Sequence, residues 1–215
     1  MCRMETARPT DSDPDAGLRD RLAEAVAAEA AFSGWSHAAL RAAAEQVGAG
    51  ADAERLFPGG PVDVLVYLSE RADQRTVEGL ENAGVMSLKI RERIKLAVRL
   101  RIENTVGGKE SVRRGLALLA LPFNGPLALR LLYRTVDAVW YAAGDTSTDF
   151  NFYTKRAILA GVFSSTLLYW LNDRSEGNAT TWSFLDRRID DVMRFEKWKA
   201  DLGSWTGSRR FSARP

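Results

Sequence analysis

No charged residue occurs between positions 157 and 171, where the sequence reads AILAGVFSSTLLYWL. Its apolar residues cover every side of a helix, a pattern typical of a helix that is buried on most sides or lines an apolar cavity. A bilayer span needs about 20 apolar residues, and this stretch is interrupted by Ser164, Ser165 and Thr166. We therefore expect it to form the central helix of a soluble protein.

Before this stretch, apolar residues recur at three- and four-residue steps, which gathers them on one face of a preceding helix. They are Leu132, Val136, Val139, Trp140 and Ala143. Gly144 is predicted to end that helix, because glycine enters the left-handed region without a steric cost. Residues 145–149, DTSTD, can accept hydrogen bonds from the free N–H groups of a new helix, which begins near Asp149.

A second uncharged stretch covers residues 115–129 and is broken by Pro122 and by a turn at 124–126. Together the two stretches carry more apolar surface than a thin helical bundle needs for its own core. Either two subunits pack there or a hydrophobic ligand fills the space. The residue pattern alone leaves both readings open.

Three short helices are predicted near the amino end, the second closed by a glycine turn at Gly48. They resemble the helix-turn-helix of TetR-type repressors. The candidate reading helix, ADAERLF at 51–57, offers two acids and one base, whereas phosphate contact calls for several Lys or Arg. We therefore expect no nucleic-acid partner and interpret the module as a structural or partner-binding cap.

Composition excludes several other classes of protein. The 215 residues carry a formal net charge of +2, from 30 basic and 28 acidic side chains. Cys2 is the single cysteine, so an internal disulfide is excluded and a reducing compartment is indicated. Residues 1–17 lack the apolar core of a secretion signal, so we expect a cytoplasmic protein.

The residues needed for common catalytic sites are missing. His37 is the single histidine, whereas zinc sites use about four N, S or O ligands and di-iron bundles use paired Glu-x-x-His motifs. No Gly-x-Ser-x-Gly elbow accompanies His37. We expect no enzymatic activity, no cofactor and no metal.

The carboxy-terminal residues mix aromatic and cationic side chains, a combination suited to a headgroup interface. Trp198, Leu202 and Trp205 are the candidate membrane contacts. The predicted organisation is a disordered tail at 1–17, a helix-turn-helix-like module at 18–75, a helical lipid-binding and dimerisation domain at 76–199, and a flexible tail at 200–215.

Several multi-residue runs occur in a fixed order along the chain. They are GWS at 34–36, FPGGPVD at 57–63, TVDAVW at 135–140, GDTSTDFN at 144–151, YTKRA at 153–157 and TWSFLDRRI at 181–189. The sequence thereby resembles, over roughly residues 18 to 199, the Coq-nine family of ubiquinone-biosynthesis proteins. The resemblance implies an all-α, TetR-like homodimer that is not a working repressor.

The same resemblance implies a function. Such a protein binds isoprenoid lipids and presents a ubiquinone precursor to the di-iron demethoxyubiquinone hydroxylase, at the inner face of a membrane. Asp149, Tyr153 and Arg156 match the family's surface patch for that enzyme. Phe152 stands where the family usually has tryptophan, so the indole N–H donor is lost. The expected lipid contacts are Val136, Val139, Trp140, Ile158, Val162, Leu167 and Leu168.

Two alternative functions stay open at this point. The first is a TetR-type ligand-sensing transcriptional repressor, and the second is a dimeric structural protein without a ligand.

Overall fold

The regular structure of the described chain is helical. The computed structural model describes residues 15–145 and 150–207, with side chains for all of them except 150, 151 and 195–207. The helices are α1 (Ala16–Ser33), α2 (His37–Gln46), α3 (Ala53–Leu56), α4 (Pro61–Asn82), α5 (Ile90–Glu103), α6 (Gly108–Leu119), α7 (Gly125–Ala142), α8 (Phe150–Asn172) and α9 (Ala179–Gly207). Short 3-10 turns lie at Val85–Ser87, Pro122–Asn124 and Glu176–Asn178. The expectation of an all-α fold is confirmed.

The chain divides into two compact units. The amino-terminal unit contains the described residues up to Arg75 together with Asn104–Leu131. The carboxy-terminal unit contains Thr76–Glu103 and the described residues from Leu132 onward. The amino-terminal unit thus includes residues 104–131, which the sequence analysis groups with the helical domain at 76–199.

The core of the amino-terminal unit is built by α1, α2, α3 and the start of α4. Its fully or almost fully buried side chains include Leu22, Val26, Leu40, Leu56, Phe57 and Val64. Ser36 caps α2 by accepting a hydrogen bond from the Ala39 N–H at 3.1 Å, and Gly48 takes a φ of 72° in the turn after α2. The three predicted amino-terminal helices are thus present.

Long-range contacts explain why α6 belongs to this unit. The Trp35 indole donates a hydrogen bond to the Ser111 carbonyl at 3.0 Å. At the start of α6, a Cβ on Gly107 would lie 2.7 Å from the carbonyl oxygen of Ala27 in α1. The linear sequence gives no sign of contacts between residues this far apart.

In the carboxy-terminal unit, α5 packs antiparallel to α9 through three successive polar contacts. Arg91 pairs with Asp190 at 3.3 Å and Lys95 pairs with Asp186 at 2.9 Å. The Arg99 guanidinium lies 5.0 Å from the Trp182 ring centroid. The basic face of α5 is therefore largely matched by acidic and aromatic side chains of α9.

The turn from α8 to α9 is organised by Asp173. Its carboxylate accepts hydrogen bonds from the N–H and hydroxyl of Ser175, at 2.8 and 2.7 Å, and of Thr181, at 2.8 and 2.6 Å. The following helix continues through Gly203 to Gly207, where the sequence predicts a flexible segment from residue 200. A helical glycine costs about 1 kcal/mol relative to alanine, which neighbouring helix formers can offset.

Candidate partner-binding site

The candidate site lies where α7 ends and α8 begins. Gly144 adopts a φ of 85° and its N–H bonds the Tyr141 carbonyl at 3.0 Å, while the Asp145 N–H reaches the Trp140 carbonyl at 3.0 Å. This is the left-handed helix end that the sequence predicts. It turns the chain so that Asp145 lies beside the first turns of α8.

Arg156 is the centre of the site and its side chain is only 7% exposed. Its guanidinium contacts Asp137 at 2.7 Å and Asp145 at 3.5 Å. It also stacks on the Phe152 ring, 3.3 Å from the centroid. A buried cation needs such partners, and removing one of them commonly costs about 3–5 kcal/mol.

Lys155 adds a second link between the two helices. Its ammonium pairs with Asp145 at 2.8 Å and lies 5.6 Å from the Trp140 ring centroid. The Trp140 indole in turn donates a hydrogen bond to the Lys155 carbonyl at 3.1 Å. Trp140, predicted as a lipid contact, therefore also fastens the start of α8 to α7.

The aromatic pair Phe152 and Tyr153 forms the outer part of the site. The two rings meet edge to face, with centroids 5.2 Å apart. Phe152 is half-buried over Arg156, whereas Tyr153 is 68% exposed. Three of the four predicted partner-binding residues are thus brought together, with Tyr153 as the surface group and Arg156 as its buried support. Asp149 lies outside the described residues.

Sequence reasoning missed the two acids that hold Arg156 in place, together with Lys155. A detectable signal was present, because Asp137 and Asp145 flank the carboxyl end of α7, where the helix dipole disfavours negative charge. Acids at that position indicate a cation nearby. The Asp145 side chain is 4% exposed, so its charge is balanced within the protein.

The predicted lipid contacts occupy several environments. Val136, Val139 and Val162 are buried, Ile158 and Leu167 are half-buried, and Leu168 is 57% exposed. Leu168 belongs to an uncharged exposed stripe along α8. The other members of the stripe are Ala157, Gly161 and Asn172.

Two open depressions occur on the carboxy-terminal unit, and neither is lined by these residues. One, of about 450 Å³, is lined by Tyr169, Asn172, Asp173, Arg174, Ser175 and Thr180. The other, of about 200 Å³, is lined by Arg187, Arg188, Asp190, Asp191 and Arg194. Apart from Tyr169, the lining residues are polar or charged, so neither depression is the hydrophobic-ligand cavity that was one of the two readings of the uncharged stretches.

The candidate membrane contacts Trp198, Leu202 and Trp205 lie on the last turns of α9, in the part whose side chains are not described. Within the described ranges, no helix taken singly has the length and hydropathy to cross a bilayer. Two helical segments separated by a sharp bend, Gly108–Leu119 and Pro122–Ala142, reach that length and hydropathy when they are counted together.

The structure is similar to a crystal structure of a TetR transcriptional regulator from Nitrosomonas europaea, with a TM-score of 0.69 and 22% identity over 81% of this chain and 97% of that one. The TetR-like fold class is therefore confirmed.

The sequence is similar to a family model and to several relatives. Residues 125–196 match the COQ9 family model. The chain is 31% identical over 190 residues to the mitochondrial ubiquinone biosynthesis protein COQ9 of Rattus norvegicus, covering 85% of this chain and 61% of that protein. It is 30% identical to the human protein, over 85% of this chain and 60% of the relative. With the Drosophila melanogaster protein it shares 30% identity, over 89% and 61% respectively.

The chain is thus similar to COQ9 proteins over most of its length, and residues 125–196 match the family model, which confirms the resemblance. It spans about three fifths of the length of these relatives. The matched residues 125–196 include the whole candidate site.

Proposed function

We propose that this protein acts in ubiquinone biosynthesis as a non-catalytic accessory protein. In this proposal it binds an isoprenoid quinone precursor and presents it to the di-iron demethoxyubiquinone hydroxylase. The observation that carries the proposal is homology to proteins named for ubiquinone biosynthesis across 85% of the chain, with α7 and α8 inside the matched domain. The site itself supports a docking role, because Tyr153 is exposed above residues whose charges are paired with one another.

Pairing of the charges indicates the chemistry of the partner surface. Lys155 and Arg156 are both neutralised by acids of the site, so the outer surface offers aromatic contact rather than net charge. A partner presenting apolar side chains fits that surface. Exposed aromatic anchors often contribute about 2 kcal/mol or more to such interfaces.

The docking proposal is tested by measuring binding of the purified protein to the hydroxylase. Tyr153→Ala is expected to weaken binding by about 30-fold, the equivalent of about 2 kcal/mol. Phe152→Ala should weaken it as well, and both variants should lower ubiquinone levels in cells while the circular dichroism spectrum stays unchanged. The control is Tyr133→Ala, because Tyr133 is also an exposed tyrosine but lies on α7. Equal binding by Tyr153→Ala and the wild type would contradict the proposal.

The lipid is assigned to the apolar interior between α7 and α8, around Val136, Val139 and Val162. Protein purified from a ubiquinone-producing cell would be extracted with organic solvent, and the extract analysed by mass spectrometry. The proposal expects a quinone or isoprenoid mass in about one equivalent per subunit or per dimer. Extracts free of any isoprenoid would favour a structural protein without a ligand.

Attachment to a membrane surface is assigned to Trp198, Leu202 and Trp205. Their joint replacement by alanine should reduce pelleting of the protein with liposomes, because each aromatic or aliphatic side chain contributes buried apolar area at the interface. Pelleting that does not change would remove the membrane from the proposal.

Sequence-specific DNA binding is not proposed, even though the fold is that of TetR regulators. The helix α3 has four residues, and its single base, Arg55, is held by Asp15 and Asp52. Few cations are therefore presented to phosphates. A gel shift with the DNA upstream of the gene, repeated across salt concentrations, should detect no specific complex.

A further inference from the structure

One arginine from outside the site binds the carboxyl end of α7. Arg93, half-buried in the first turn of α5, donates hydrogen bonds through all three guanidinium nitrogens to backbone carbonyls. Its Nε reaches Leu88 at 2.9 Å, Nη2 reaches Met86 at 2.8 Å and Nη1 reaches Ala143 at 2.7 Å. A planar guanidinium can hold three acceptors in fixed directions, which an ammonium group cannot reproduce.

The hydrogen bond to Ala143 provides a donor and a positive charge that α7 lacks at its own carboxyl end. A helix end leaves carbonyl groups without partners and carries partial negative charge, so cations are favourable there. The last turn of α7 contains no basic residue. Arg93 supplies both the missing positive charge and a donor, from 50 residues earlier in the chain.

The segment that Arg93 holds is fitted closely against the site. A Cβ on Gly144 would lie 2.6 Å from Met86 Cε and 3.2 Å from Arg93 Nη1. The next residue is Asp145, whose carboxylate serves both Lys155 and Arg156. A shift of Ala143 and Gly144 would therefore displace the acid on which the start of α8 depends.

We propose that Arg93 is a positioning residue of the docking surface. By fixing Ala143 it fixes Asp145, and through Lys155 and Arg156 it holds the first turns of α8 that present Phe152 and Tyr153. This inference rests on the proposed function for its effect on partner binding. Its effect on the local structure is independent of any partner.

The local effect is tested by amide hydrogen exchange measured by mass spectrometry on the full chain. In Arg93→Met, exchange in peptides covering residues 143–156 should accelerate by about tenfold or more, because these amides open without global unfolding. Peptides from α1 and α2 should exchange as in the wild type. The control is Arg99→Met, the same substitution in the same helix, which should leave 143–156 unchanged.

Unchanged exchange at 143–156, or acceleration spread evenly over the chain, would overturn the proposal. If Arg93→Met does not fold, Arg93→Gln is the second variant, since its amide keeps a donor for one of the three carbonyls. The same local acceleration is then required.

The effect on binding is tested by a double-mutant cycle with the hydroxylase. Arg93→Met should weaken binding by about tenfold in the wild type and by less than about threefold in Tyr153→Ala, because the residue acts through the surface that Tyr153 forms. Equal losses in both backgrounds would overturn the positioning role. If Tyr153→Ala itself binds normally, the proposed function fails, while the exchange measurement still decides the local role of Arg93.

Discussion

At the scale of single residues, the stability of the site depends on how the charge of Arg156 is accommodated. The guanidinium is almost fully removed from water, with carboxylates on one side and the Phe152 ring 3.3 Å from its centre on the other. Aromatic faces attract desolvated cations by up to about 2 kcal/mol. Phe152 therefore has a role within the fold in addition to its proposed role at the surface.

Replacing Phe152 separates these two roles. Phe152→Leu should lower the free energy of unfolding by about 1–2 kcal/mol, because leucine has no π face for Arg156. Phe152→Trp should keep the stability of the wild type, since tryptophan provides the strongest such face. Urea denaturation of the purified variants measures both effects. Equal stability of the leucine variant and the wild type would show that the stacking contributes nothing.

A second residue-scale prediction concerns Asp173. Burial opposes its ionisation, but hydrogen bonds from Thr181 and Ser175 outweigh burial and hold its pKa well below the usual range. A pKa that is lower in the folded state stabilises the protein above the unfolded-state value of about 3.9, and the contribution is lost as pH falls below it. Asp173→Asn should thus be destabilised by a constant amount above about pH 5, and the difference from the wild type should shrink below about pH 4.

Urea midpoints measured both above about pH 5 and below about pH 4 test this prediction. Asp191→Asn is the control, because Asp191 is an exposed acid on α9 that pairs with Arg188. If Asp173→Asn is less stable than the wild type by the same amount in acid, the carboxylate charge is not what stabilises the turn.

At the scale of elements, the packing of α5 on α9 combines a buried apolar layer with a polar outer row. Ile94, Val98, Leu185 and Ile189 are buried, and the pairs Arg91–Asp190 and Lys95–Asp186 lie outside them. The hydrogen bond to Asp186 raises the pKa of Lys95. Partly exposed ion pairs of this kind typically contribute about 0.2–1 kcal/mol and are weakened by salt.

The ionic part of this packing can be measured directly. Lys95→Met should lower the free energy of unfolding by about 0.5 kcal/mol at low ionic strength, and the loss should largely disappear near about 1 M salt. Arg187→Met, an exposed substitution on α9, provides the control. A loss that is the same at both ionic strengths would assign the effect to the packing of the lysine chain instead.

The elements also show what the sequence could and could not predict. Local signals located the end of α7 at Gly144, the turn at Gly48 and the start of α8, since each depends on neighbouring residues. The placement of α6 depends on Trp35 and Ala27, and the guanidinium that bonds the Ala143 carbonyl comes from Arg93, all far away along the chain. Periodicity marked Trp140 as apolar, but it could not indicate the bond from its indole to Lys155.

At the scale of the whole molecule, the uncharged exposed stripe on α8 needs explanation. Leu168 is more than half exposed, and a Cβ on Gly161 would contact no other atom within 4 Å. An uncharged helix face of this length favours contact with another protein surface. We propose that a second copy of the chain covers it, forming a homodimer.

Gly161→Arg tests the homodimer. The single chain has room for the added side chain, whereas a dimer with α8 at its interface would bury an unpaired charge. Light scattering after gel filtration should give twice the mass of the chain for the wild type and the monomer mass for Gly161→Arg. Ala38→Arg, on the exposed side of α2, should stay dimeric. A monomeric wild type, or a dimeric Gly161→Arg, would exclude this interface.

The even spacing of the contacts between α5 and α9 has one more consequence. The participants recur every four residues on both helices, so sliding α9 by one turn, about 5.4 Å, would place Asp186 opposite Arg91 and Trp182 opposite Lys95. The shifted alignment would keep one of the two ion pairs and one cation–π contact, so the shapes of Ile94, Leu185 and Ile189 supply much of the preference for the observed one. Replacing any of these three with a smaller residue would permit α9 to slide along α5. The slide would move Trp198, Leu202 and Trp205 by one turn along the axis of α9.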